Sequence, residues 1–282
     1  IGLLLAPVVI TSLGWPAMFY SFGALGIVWA AVWAILGKDR EPQTAVDGTA
    51  DAPIPWARIL TCTPLWGIVA AHFCHDWGMY ALLTWTPSYL NKALGYDLQG
   101  SSELTVLPSV LAVATAGFAG LTADRLLADG MDLTVVRKNM QTAGFVLPAL
   151  CLGLLGLLGS GAGAGGEASL PAAVPIALLT VGIAGGSFSL AGLYASHADL
   201  SAKYSGLVNG VSTTFGALAG VCSNSYAGYV LANTGSWSQA IFLPSVVFYG
   251  IGCVAYAALY DAKPIDFDSN ADPAVEAEAE GR

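Results

Sequence analysis

Residues 64–90 read PLWGIVAAHFCHDWGMYALLTWTPSYL. A helix needs about 20 apolar residues to cross the core of a bilayer. This stretch supplies them, and its ionisable residues, His72, His75 and Asp76, stand together near its middle. Ionisable groups are costly in hydrocarbon, and a span that keeps them marks a functional site by default. At about 100° per residue, His72, His75, Asp76, Met79 and Tyr80 fall within an arc of about 140° on one helix face. That face is expected to line a cavity, with Cys74 roughly opposite.

Three readings of the cluster stand side by side. Paired histidines and a carboxylate can exchange protons near neutral pH, or hold an anion through imidazolium donors. The same groups can form a hydrogen-bonded knot that only fixes helix packing. A metal site from His72, Cys74, His75 and Asp76 is the third and weakest, because Cys74 faces away. Catalysis is not expected. The sequence holds no GxSxG, HExxH or phosphate-cradling loop, and its hydroxyl side chains have no base positioned to activate them.

The rest of the chain has the same character. Of 282 residues, 55% are hydrophobic and 10% are Asp, Glu, Lys or Arg, and the mean hydropathy is +0.65. Soluble domains carry roughly 25% charged residues, so composition points to a polytopic membrane protein, and apolar runs long enough for helical spans make its expected fold class all-α. Ten Lys and Arg against nineteen Asp and Glu give a net charge of −9, which offers no basic footprint for nucleic acid. The five cysteines form no CxxC pair and imply no disulfide framework.

Eight apolar runs are separated by turn or charge clusters: a truncated run over 1–13, then 15–37, 66–90, 104–122, 139–160, 173–195, 204–232 and 238–260. Seven are long enough to span. The chain opens inside an apolar run with no charged segment before it, so it is read as a fragment cut through a span rather than as starting with a signal peptide. Residues 38–65 are expected to be a linker, structureless over the polar part 38–55. The acidic tail 261–282 is expected to be disordered, and 159–171 to be a Gly/Ala hinge loop.

Counting basic residues tests the spans. If 38–65 is inside, Lys38, Arg40, Arg58, Arg125, Arg137, Lys138, Lys203, Lys263 and Arg282 all fall inside, and only Lys92 falls outside. A missed or invented span would scramble that division. Gly206 and Gly210, then Gly216 and Gly220, stand at helix-packing spacing. Pro64, Pro87, Pro108, Pro148, Pro175 and Pro244 add expected kinks.

Other polar residues gather at the inside ends of spans. Asp124 and Arg125 stand where one helix emerges, with Arg137 and Lys138 before the next. Such groups either anchor topology or form a knot that locks one conformation of a moving bundle. His197 and Asp199, in HADLSAK, lie at the same rim. Ser189, Tyr194, Ser212 and Thr213 give the two flanking helices candidate substrate donors, although span hydroxyls often bond their own backbone.

Five stretches in order, GWPAMFYSFGALGIVWAAVWAI, AHFCHDWGMYALLTWTPSYL, GLTADRLLADG with VRKNMQTAGF, GLYASHADLSAKYSGL and GSWSQAIFLPSVVFYGIG, resemble the C-terminal part of the major facilitator superfamily anion transporters. The similarity is to the plant and algal plastid branch, which includes sodium-dependent phosphate carriers related to vesicular glutamate and sialic acid transporters. It implies the major facilitator fold, with twelve helices in two bundles and a substrate held between them. Residues 1–37 would end the N-terminal bundle, and 66–260 would be the C-terminal six-helix bundle. It also implies an anion carrier in a plastid membrane, coupled to sodium or protons, needing no other cofactor or metal and acting as a monomer at full length. By resemblance His75 takes the position where relatives carry His or Arg facing the anion path, with His72, Asp76, Tyr80, Ser189, Tyr194, Ser212 and Thr213 beside that path. Asp124 and Arg125, with Arg137 beyond them, match a loop that gates the inside, and His197 and Asp199 match a later loop with a structural or gating role. Three positions depart from the pattern. The family often has Asn at Asp76 and usually has Asn at Thr213, and Ser201–Ala202 replaces an Ala–Pro pair. A carboxylate at position 76 repels an anion unless a neighbouring histidine is protonated, which bears on phosphate specificity.

Overall fold

A computed structural model describes residues 2–37, 54–158 and 171–268, and every regular element among them is helical. Two compact units divide the chain at Pro55. The first holds α1 (Gly2–Leu13) and α2 (Trp15–Leu36). They join at Gly14, whose φ of 83° lies in the left-handed region that favours glycine, and a proline follows in the first turn of α2.

The second unit contains α3 (Trp56–Thr61), α4 (Thr63–Lys92), α5 (Leu98–Ala128), α6 (Leu133–Leu158), α7 (Ala173–Gly185), α8 (Leu193–Leu200), α9 (Ser205–Thr234) and α10 (Leu243–Leu259). Their ends follow local chemistry. Asp97 caps α5 by accepting from the Gly100 N–H at 2.9 Å, and Asp132 accepts from the Val135 N–H at the start of α6. Gly235, at φ 66°, closes α9. Pro64 sits in a first turn, where a missing N–H costs nothing, and Pro244 directly follows the π-turn Ser238–Phe242 within one continuous helix. Pro87, Pro108 and Pro148 lie inside helices.

Among the described residues, five stretches are long and apolar enough to cross a membrane: Trp15–Leu36, Glu103–Ala128, Leu133–Leu158, Ala173–Leu200 and Ser238–Leu259. The two remaining expected spans, α4 and α9, are 30 residues each, about 45 Å of helix, but less apolar. They are each other's main packing partners, and their polar residues meet between them. On its other side α4 packs on α10, which packs on α6, which packs on α7, which packs on α5. Lipid tails are as apolar as leucine, so close approach of small residues holds such helices together. At Gly216 and Gly220 the α9 backbone rests directly on Asp76 and Tyr80 of α4. Gly206 and Gly210 meet nothing within 4 Å, so only half of the expected glycine stripe is a packing surface.

Three sequence expectations need correction. The sixth run, read as one helix over 173–195, is broken: α7 ends at Gly185, a 3-10 turn covers Gly186–Leu190, and α8 starts afresh. The linker 38–65 is helical from Trp56 to Thr61, because Ile59 gives that turn an apolar side chain to bury. Its polar part 38–53, like the hinge loop 159–170, lies outside the described residues. The tail 261–282 is not structureless over 261–268. The Ile265 N–H donates to the Leu200 carbonyl at 2.9 Å, the Ala262 N–H to Thr134 Oγ1 at 3.1 Å, and Arg58 to the Phe267 carbonyl at 3.0 Å. Ala262 and Phe267 are buried. Residues 269–282 lie outside the described ones.

This strap brings α3, the start of α6, the end of α8 and the 201–204 turn to one end of the bundle. These are segments that the count of basic residues places inside. At the other end, Tyr89 near Lys92 packs edge-on against Trp237 of the α9–α10 connection. The order of spans inferred from charge parity and the packing order therefore agree.

Candidate functional site

The break between α7 and α8 builds the site. A helix interrupted within a membrane must find partners for its freed backbone groups, and α6 supplies them. Gln141, fully buried, accepts the Leu193 N–H through Oε1 at 3.0 Å, which serves the first turn of α8. Arg137 donates from Nη1 to the Ala191 carbonyl at 3.0 Å, and its Nε and Nη2 grip Asp199 at 2.5 and 3.3 Å. A Cβ at Gly144 or Gly192 would strike Ser189 or Gln141. The break is thus pinned by α6 at both ends.

The break redirects α8 so that His197 faces α4 and α9. There the histidines form one cluster. Ser212 Oγ on α9 lies 3.1 Å from His72 Nδ1 and 2.7 Å from His197 Nε2. His197 Nδ1 donates to the Tyr194 carbonyl at 3.0 Å. His72 Nε2 lies 3.5 Å from Asp76 Oδ2, and His75 Nδ1 donates to Asp76 Oδ1 at 3.0 Å. The Tyr194 ring stands edge-on to His72 and His75, with centroids 5.2 and 5.8 Å away. Tyr249 of α10 closes the far side, its hydroxyl against Gly78 and within electrostatic reach of Asp76.

The expected residues divide on this map. His72, His75, Asp76, Tyr194 and Ser212 come together, and Tyr80 packs one turn along against Gly220. His197, read as a gating residue, belongs to the central cluster. Ser189 does not: its buried hydroxyl rests on Gly144 and has no hydrogen-bond partner among the described residues. Thr213 is exposed and bonds only Asn209, at 3.4 Å, because one helical step from Ser212 turns it away from α4. The expected cavity face is instead a packed one, with His72, His75 and Asp76 2%, 7% and 4% exposed. Arg137 and Asp199 form the pair at the inner rim. Asp124 and Arg125 are exposed and join neither it nor one another. The metal set is not assembled, since Cys74 packs toward Gly252 on α10.

Three participants escaped the sequence reading. Gln141 and Tyr249 looked like ordinary span residues. Gly216 was noted only for its spacing, yet a Cβ there would collide with Asp76 Oδ2. The signal available for Gly216 was its offset of one turn from Ser212 on the same α9 face. An open apolar cleft of about 350 Å³ between α5, α6 and α7 is lined by Leu111, Phe118, Val181 and Phe188 among others. No ionisable side chain lines it.

Residues 1–224 match the Major Facilitator Superfamily. Among curated proteins the chain is similar to the probable anion transporter 6, chloroplastic, of Arabidopsis thaliana, at 33% identity over 94% of this chain and 53% of the relative. It is 37% identical to the Arabidopsis thaliana ascorbate transporter, chloroplastic, over 90% of this chain and 47% of that protein. It is 36% identical to the sodium-dependent phosphate transport protein 1, chloroplastic, of Arabidopsis thaliana, over 90% of this chain and 50% of that protein. The chain spans about half the length of these relatives. With an all-helical fold, apolar spans at the expected intervals and a match over most of its length, this multi-pass membrane chain belongs to the Major Facilitator Superfamily, a family of transporters rather than enzymes.

Proposed function

We propose that the protein is a secondary active carrier of an anion, inorganic phosphate first, coupled to sodium or protons and working by alternating access. The observation that carries this reading is the buried meeting of His72, His75 and Asp76 with the broken α7–α8 segment. Broken helices and intramembrane ionisable groups are the devices by which carriers hold ions at mid-depth. His75 is the contact for the anion or the coupling ion. The names of the relatives support an anion as substrate and a plastid membrane as location. A monomer at full length suffices for this mechanism.

Asp76 sets a condition on the substrate. A carboxylate beside the path repels a second anion unless a histidine next to it carries a proton. A singly charged organic anion meets less repulsion than phosphate, and one relative is named an ascorbate transporter. An organic anion is therefore the second reading. A non-transporting scaffold derived from a carrier is the third.

The test is uptake of labelled phosphate by proteoliposomes carrying the full-length protein, under a sodium gradient in one run and a pH gradient in another. Phosphate uptake driven by one of the two gradients is the expected result. Uptake of ascorbate without phosphate selects the second reading, and a preparation that moves no anion contradicts the carrier.

A further inference from the structure

Counting hydrogens in the cluster leads past the general reading. The Tyr194 carbonyl can only accept, so His197 Nδ1 bears a hydrogen. His197 Nε2 and His72 Nδ1 both face Ser212 Oγ, which has a single hydrogen to give; the Asn209 carbonyl also lies 3.1 Å from Oγ, but as an α9 backbone carbonyl it is already engaged by the helix and does not need that hydrogen. If both histidines are neutral and Asp76 is ionised, one contact fails. Either the His197 Nε2 lone pair faces the lone pair of Ser212, or the His72 Nε2 lone pair faces Asp76 Oδ2 across 3.5 Å. One added proton repairs whichever contact fails. All of these atoms are buried, so an unmade contact is expensive and water cannot replace it.

We infer that His72, Asp76, Ser212 and His197 form a binding site for one proton, which Ser212 passes between His72 beside Asp76 and His197 at the base of α8. The balance is complete within these groups. In one form His72 is the imidazolium, donating from Nε2 to Asp76 and from Nδ1 to Ser212, whose own hydrogen goes to His197 Nε2. In the other His72 Nδ1 has given its hydrogen to Ser212, Ser212 has given its own to His197 Nε2, and His197 is the imidazolium. Charge has crossed from α4 to α8 with no atom left over. Other groups facing the site are His75 and Tyr80 on α4, Tyr194 on α8 and Tyr249 on α10, while α9 contributes Ser212 and the backbone at Gly216. His75 donates to the second oxygen of Asp76 and keeps Nε2 for another partner. The inference rests on the carrier reading above and makes the proton, not sodium, its coupling ion.

The experiment uses proteoliposomes of the full-length protein in sodium-free solution at clamped membrane potential, with a pH-sensitive dye inside. Labelled phosphate is added outside, and labelled ascorbate in a parallel run. The expected result is that the lumen acidifies as the anion enters, with a fixed ratio of protons to anions. That ratio is lost in Asp76→Asn and in Ser212→Ala, the second of which removes one hydroxyl and leaves every charge in place. Anion entry without acidification in the unaltered protein overturns the proton site while the carrier reading stands. Acidification that persists in both variants also overturns it. If a variant moves no anion, infrared difference spectra of the purified protein between acid and neutral pH decide. Loss in that variant of an imidazole protonation band seen in the unaltered protein supports the site, and an unchanged spectrum contradicts it. No exchange of either anion by the unaltered protein removes the carrier reading and this inference together.

Discussion

At Gly216 a single hydrogen atom decides whether α4 and α9 can meet, because a Cβ would enter the space of Asp76 Oδ2 and approach His72 Cδ2 to 3.1 Å. Overpacking a tight interface costs about 1–3 kcal/mol. Gly216→Ala is therefore expected to lower the melting temperature of the detergent-purified protein and to loosen the cluster, whereas Gly210→Ala, with nothing within 4 Å, keeps or raises it, since alanine is the better helix former. Tryptophan fluorescence on heating measures both. Half of the cluster was legible in the sequence. His72, His75 and Asp76 share a face because helical spacing brings them there. His197 was not, because its arrival depends on a turn in the backbone that local spacing does not encode. Ser212 and Thr213 were indistinguishable as neighbours in sequence, and only the packing of α9 shows which one faces α4.

At the scale of elements, the break before α8 depends on Arg137 and Asp199, whose side chains are 13% and 16% exposed. Removing one partner of a buried ion pair costs about 3–5 kcal/mol, and an apolar replacement of both costs far less. Partial exposure places this pair toward the lower end. Asp199→Leu is expected to destabilise the protein more than Arg137→Leu with Asp199→Leu together, a comparison that thermal melting of the three proteins makes. The strap gives a pH prediction. Lys203, hydrogen-bonded to Asp268, holds that carboxyl below its ordinary range, and Asp268 in turn raises Lys203. The carboxylate contribution is complete above the ordinary value of about pH 4 and is lost as pH falls through the depressed value. The lysine contribution is complete below its ordinary value and is lost as pH rises through the raised one. Hydrogen exchange at the Ile265 amide, corrected for the intrinsic rate, is expected to accelerate in acid and to stay level across neutral pH, and Asp268→Asn removes the acid step. Helix limits were legible where Pro, Gly or Asp mark them. The break was not, since GIAGGSFSLAGL reads as continuous apolar sequence. Nor was the strap, where Phe267 is one apolar residue in an acidic tail and its docking depends on partners in three other elements.

For the whole molecule, the count of basic residues anticipated that the segments carrying Arg58, Arg137, Lys203 and Lys263 meet at one end of the bundle, because charge is sorted by the membrane before packing begins. Substrate was less legible, since the polar groups of one bundle do not fix the shape of a cavity. The central claim is that the buried histidine face of α4 handles the transported anion. The most direct measurement compares labelled phosphate uptake by the full-length protein with that of His75→Ala and His75→Arg, each verified by its melting temperature. The account predicts that uptake is lost with alanine and retained at least in part with arginine, a cation able to hold the anion at the same position. Undiminished uptake by a folded His75→Ala protein would contradict it and leave the cluster as a packing knot.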